Sequence, residues 1–186
     1  MKHPASQALF AYWDDKRGNA RAPERQAFEP VEIRELLGDT FVLSYEAAES
    51  AGCSFRVAGT RLCALLGRDL KGESFAALFA GESRGEIEDL LRLVAEEALT
   101  AVAGLSATAP EGSVTHLELL LLPFQARAHR PLSMTGLLAP LEFGRRNLGE
   151  LHLTSWRTMR PAPRPGVRKL RKWTAARGFT VYEGQS

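Results

Sequence analysis

Apolar and polar positions alternate along Cys53-Ser-Phe-Arg-Val-Ala58, with Cys53, Phe55 and Val57 on one side and Ser54, Arg56 and Ala58 on the other. That period predicts a strand with one buried face. Phe41 to Glu46 reads as a strand before it, joined through a loop that ends in Ala51-Gly52. Gly59 breaks the second strand. Thr60 then has the chemistry of an N-cap for a short helix closing near Gly67, and Gly72 leads into a further short apolar segment from Phe75 to Phe79.

Helical spacing dominates elsewhere. Leu9, Tyr12 and Trp13 recur along Pro4 to Arg17, and Pro4 suits a first helical turn. Glu29-Pro30 opens a shorter helix through Leu37 that Gly38 can end. Ser83-Arg-Gly-Glu86 has the form of a capping box. Behind it Ile87, Leu90, Leu91, Val94, Ala98 and Val102 form one stripe, predicting an amphipathic helix laid across an apolar sheet face. Three strand segments follow, Val102 to Ala109, Val114 to Phe124 and Ser133 to Glu142, with turns short enough for an antiparallel meander. Leu148 to Ser155 reads as one further strand or a packed arm.

Composition narrows the class. The 186 residues are 45% hydrophobic and 25% charged, enough for one globular core with extensions. Cys53 and Cys63 are the only cysteines, in neither a metal-ligand nor a disulfide-framework spacing, which predicts a reduced, cytoplasmic setting. No apolar run is long enough for a membrane span. The net charge of +2 is unevenly placed: Arg157 to Arg177 holds eight basic residues and no acidic one, together with Pro161, Pro163, Pro165 and Gly166. This reads as a basic tail that binds nucleic acid, anionic lipid or an acidic partner, or merely solubilises the chain. The expected organisation is a helical cap over residues 1–38, a domain over 39–156 and a proline-rich basic tail over 157–186.

The order β-β-α-α-α-β-β-β behind a helical cap resembles a PAS domain, a five-stranded antiparallel sheet with flanking helices in an α+β fold. Trp13-x-x-x-Arg17, Pro23-x-Arg25-x-x-Phe28-x-Pro30, Phe55-Arg56-x-x-Gly59-Thr60, Gly67-x-x-Leu70-x-Gly72 and Leu151-x-Leu153-x-Ser155-x-Arg157 occur in that order. They make the chain similar to the bacterial stand-alone PAS proteins of PAS-domain family 5. The resemblance implies a sensor without its own catalytic output, acting by binding a small ligand or a signalling partner, and commonly a homodimer paired through its N-terminal helix.

Chemistry in the sequence is sparse. His3, His116, His129 and His152 sit in no recognisable motif, and no HExxH, phosphate-binding loop, GxSxG or dinucleotide fingerprint occurs, so no catalytic residue and no metal ligand is assigned. Flavin photosensors carry Asn-Cys-Arg-Phe-Leu-Gln on the helix after the second strand; Cys63 stands there without those neighbours. No histidine between His3 and His116 offers a haem ligand. No cofactor is therefore recognisable, and an unidentified small ligand is the remaining expectation. Phe55, Val57, Cys63, Leu66, Phe75, Phe79, Leu91, Leu117, Leu119, Met134 and Leu138 are expected to line either a filled core or an apolar pocket, since both demand the same residues. None of them is ionisable enough to serve as a buried acid or base, which disfavours an enzyme. Arg56, Thr60, Arg21 and Arg25 are the polar or anion-contact candidates, with a structural ion pair from strand to cap as the other reading of Arg56. Leu9, Tyr12 and Trp13 are read as a dimer or partner surface, or as packing on the chain's own sheet. Arg164, Arg168, Lys169, Arg171 and Lys172 carry the alternative function, a nucleic-acid-associated regulator that uses the PAS part as a scaffold.

Overall fold

The computed structural model describes residues 1–46, 52–109, 111–142 and 146–162, and the backbone of 171–174 and 180–183. Within these, β1 (Thr40–Tyr45), β2 (Cys53–Ala58), β3 (Thr100–Thr108), β4 (Val114–Pro123), β5 (Leu132–Pro140) and β6 (Leu151–Met159) form one sheet in the order β2-β1-β5-β4-β3-β6. Every neighbouring pair is antiparallel. The segment read as a strand or an arm is therefore a sixth strand, paired along β3, and the sheet is one strand wider than the five expected.

Alternation on β4 sorts the two faces. Leu117, Leu119 and Leu121 point to an inner core covered by α2 (Thr60–Leu66), the turn Ala76–Leu78 and α3 (Glu82–Glu97). Leu120 and Leu122 point outward and are buried beneath α1 (Pro4–Arg17). The inner centre holds four phenylalanine rings in contact. Phe75 lies 5.2 Å from Phe41, 5.4 Å from Phe55 and 5.6 Å from Phe79, all essentially inaccessible. Phe41 needs Gly136 opposite it on β5, because a Cβ there would stand 2.3 Å from the ring and 2.6 Å from the Leu120 carbonyl.

α1 is fixed by its own buried stripe of Ser6, Leu9, Trp13 and Arg17. Leu9 and Trp13 are fully buried, so they pack on this chain's sheet and offer no dimer surface; an amphipathic helix satisfies its apolar stripe on the nearest uncovered sheet face. The Trp13 indole donates to the Pro123 carbonyl at 2.8 Å. Arg17 lies over the Trp13 ring, pairs with Asp14 at 2.6 Å and donates to the Ala162 carbonyl at 2.9 Å. At the other end, Glu118 on β4 accepts the backbone N–H groups of Lys2 (2.5 Å) and His3 (3.0 Å), the donors that the start of a helix leaves free. His3 itself caps the helix by accepting from Ala5. Glu118 is thus a buried carboxylate absent from the expected core, hidden by a helix that sequence alternation does not reveal, while His116 beside it stays exposed.

Several local expectations shift. Glu29-Pro30 opens only a short 3-10 turn, Pro30–Ile33, continued by turns to Asp39. Gly59, not Thr60, is the N-cap of α2; its amides are met by backbone, Leu62 N–H donating to the Gly38 carbonyl, and Thr60 is an exposed first helical residue. No capping box forms at Ser83, whose hydroxyl accepts from Leu153 N–H at 3.0 Å and so ties α3 to β6. α3 stops at Glu97, with Ala98 left-handed, which leaves Val102 on β3. In the basic tail, Arg171–Thr174 and Thr180–Glu183 pair as an antiparallel hairpin, β7 and β8, so Arg171 and Lys172 lie in a strand and not in an extended linker. Arg164, Arg168 and Lys169 lie outside the described residues.

Gly136→Ala should lower stability by about 1–3 kcal/mol, since the new methyl can be accommodated only by moving Phe41; urea denaturation measures it, and an unchanged midpoint would show that the ring has room. Glu118 supplies a second expectation. Burial raises its carboxyl, but the N–H groups of Lys2 and His3, with the Ser6 hydroxyl beside them, outweigh this and hold it below the usual 4.5. A depressed carboxylate contributes stability above its unfolded value and loses it as the pH falls through the folded one. The difference in stability between the wild type and Glu118→Gln should therefore be largest at neutral pH and shrink in acid. A difference independent of pH would separate Glu118 from the docking of α1.

Candidate functional site

Strict alternation would turn Val57 into the core beside Phe55. The pairing of β1 with β2 prevents this: Val42 pairs with Val57 and Leu43 with Phe55, so Arg56 is an extra residue in a β-bulge. The bulge moves the phase by one. Phe55 remains buried in the inner core, whereas Val57 turns outward and is 54% exposed. Ala58 then packs against the core from the inner side. Among the other expected lining residues, Leu66, Phe75, Phe79, Leu91, Leu117, Leu119, Met134 and Leu138 are buried in the inner core, and Cys63 is half-buried against it. Cys53 is buried too, and its burial pushes the thiol up to about 12, removing it from thiolate chemistry at neutral pH.

One concave surface lies on the opposite side of the sheet, where α1 does not reach β1 and β2. Residues Arg25 to Leu37 form a cap over that strip. Tyr12 meets Phe28 edge-on at 4.9 Å and accepts from Glu29 N–H at 2.8 Å, Phe28 meets Phe124 at 5.0 Å, and Lys16 pairs with Glu32 at 2.7 Å. Tyr12 is therefore committed to holding the cap. The far end of the cap is fastened to α2: the Arg61 guanidinium donates to both oxygens of Asp39 (2.7–3.0 Å) and to the Glu35 carbonyl at 2.7 Å. Gly59 fits only without a Cβ, which would stand 2.2 Å from the Leu37 carbonyl oxygen.

Between cap and sheet runs a groove of about 220 Å³, walled by Phe28, Pro30, Ile33, Leu37 and Phe124 and floored by Val42, Val57 and Thr135. Arg25 lines its end and also lines an adjoining hollow of about 120 Å³, with Arg56, Arg127, Arg130, Ser44 and Ser133. Sequence reasoning singled out Arg25 and Arg56, and the structure brings them to one hollow. It adds Arg127 and Arg130 from the β4–β5 connection, for which no sequence pattern gave a signal. Arg21 is exposed and lines neither space. Arg56 has no ion pair among the described residues, so the strand-to-cap tie expected of it is not made; the cap is tied by Arg61 to α2 instead.

The model of a PAS domain, family 5 of that fold, matches residues 1–139. The chain belongs to the PAS-domain family. Solved structures similar to it include the light-state blue-light photoreceptor Aureochrome1 LOV, at 10% identity and TM-score 0.44 over 60% of this chain and 87% of that one. A light-oxygen-voltage domain studied with a flavin analogue is similar at 11% identity and TM-score 0.46, over 60% and 83%. The PAS domain of an HTR-like protein from Haloarcula marismortui is similar at 16% identity and TM-score 0.41, over 60% and 90%. No curated protein sequence matches the chain. PAS domains typically sense and signal.

The bulge makes a direct prediction. Phe55→Ala should cost about 3–5 kcal/mol and Val57→Ala no more than about 0.5 kcal/mol in urea denaturation. Similar losses at both positions would restore strict alternation and remove the groove floor.

Proposed function

We propose that this PAS domain is a sensory protein that acts by binding, without catalysis, and that its ligand site is the groove between the cap and the outer face of the sheet. The observation that supports this most directly is the contrast between the two faces. The inner side is occupied by four phenylalanine rings packed around Phe75, while the outer side keeps an apolar groove beneath a segment held at a few points. A pocket with apolar walls and a few polar groups at one end is the usual form of a small-molecule site.

Signalling follows from where the groove lies. A ligand that binds more tightly when the cap is raised shifts the population toward that arrangement by its differential affinity alone. The cap also presents Val31, 73% exposed, to whatever reads that shift, and a signalling protein is the partner the reading calls for. Among the described residues no group of three His, Cys, Asp or Glu side chains is placed to hold a metal ion, and no helix is long and apolar enough to cross a membrane.

Native mass spectrometry of protein purified without refolding tests the reading, with released material identified under denaturing conditions. The expected result is a small-molecule adduct that is lost in Val57→Asp and kept in Val114→Asp, a control of equal exposure on β4. An adduct kept in both variants would move the site to the interior.

A further inference from the structure

We propose that the arginine-lined end of the groove receives the anionic headgroup, a carboxylate or phosphate, of a small amphiphile whose apolar body lies under the cap. This rests on the groove being the ligand site, and it assigns that ligand a chemistry.

Two strands change character between the groove and the hollow. The outward position on β1 passes from Val42 to Ser44, and at the bulge of β2 from Val57 to Arg56, while β5 carries a hydroxyl at both levels, Thr135 and Ser133. The site is therefore apolar at one end and cationic at the other, with Arg25 at the junction. Four arginines line that hollow, from the cap, the bulge and the β4–β5 connection. The one carboxylate paired with them among the described residues is Glu24, on Arg127 at 3.0 Å.

An excess of positive charge gathered on a hollow of about 120 Å³ is unfavourable by itself and is relieved by an anion. Guanidinium groups bind carboxylate and phosphate through paired N–H donors, which suits both headgroups and excludes cationic or neutral ones. The Ser44 and Ser133 hydroxyls at the floor add donors that an anion can use. The bulge is the local device that makes this possible. It turns two successive side chains, one apolar and one cationic, to the same face of the sheet, which a regular strand cannot do.

The test is a titration of the full chain, labelled with 15N, with octyl phosphate, octanoate, octanol and inorganic phosphate. Backbone amides and arginine side-chain N–H groups are followed by NMR. The expected result is that octyl phosphate or octanoate binds at least about tenfold more tightly than octanol or inorganic phosphate. Shifts should appear at Phe28, Val57 and Arg56, and the advantage should disappear in Arg56→Gln and Arg130→Gln, whose exposed positions leave the core intact. It should also fall with added salt while octanol binding does not. Octanol binding as tightly as the anions would overturn the headgroup assignment and leave the groove reading standing. Inorganic phosphate binding as tightly as octyl phosphate would overturn the amphiphile. Shifts confined to interior residues such as Phe75 and Leu91, or binding by none of the four probes, would overturn the groove reading and this inference together.

Discussion

The antiparallel sheet of this chain buries apolar residues on both faces, and the chain has unequal means of covering them. The inner face receives α2, α3 and the turn between them, and four phenylalanine rings close the space that remains. The outer face receives α1, which spans β4 and its neighbours and leaves the β1–β2 end to a cap with only 3-10 turns for regular structure. A helix can bury a continuous stripe. A cap of turns touches at points, here Phe28, Ile33 and the Arg61 fork, and leaves space between them.

That inequality separates a tightly packed layer from a loosely packed one. The interior is where stability resides, since the contacts of Phe41, Phe55 and Phe75 leave little to gain by opening it. The cap is where a weak and adjustable contact resides. Elements that rest on few apolar contacts open at lower free energy than a packed core does. A binding event under the cap can therefore be reversible without threatening the fold.

Much of this was legible along the chain. The alternation on β4 sorted Leu117, Leu119 and Leu121 to the inner side, and the spacing of Leu9 and Trp13 gave α1 its span. Three features were hidden, each for a physical reason. A β-bulge leaves the composition of a strand unchanged while shifting its phase, so Val57 carried no mark of being outside. Ser83 had the residues of a capping box around it, yet its hydroxyl was claimed by the distant Leu153 amide, a tertiary choice that local spacing does not record. Glu118 sat in an outward phase that ordinarily means solvent, and became buried only because the start of α1, more than a hundred residues earlier, comes to rest on it. The arginine hollow joins such distant segments as well: Arg25, Arg56 and Arg130 share no periodicity.

The attachment of the cap to α2 has a consequence for how a signal travels. Arg61 belongs to the layer that covers the inner face, yet its guanidinium holds Asp39 and the Glu35 carbonyl, which belong to the segment that covers the outer one. The Gly38 carbonyl, receiving the Leu62 amide, adds a backbone link at the same place. The two layers are thus clasped around the margin of the sheet. A ligand seated as proposed beneath the cap would press on the opposite layer by this short detour, in the manner of a hinge plate wrapped over the edge of a door, with no need for the strands between to deform.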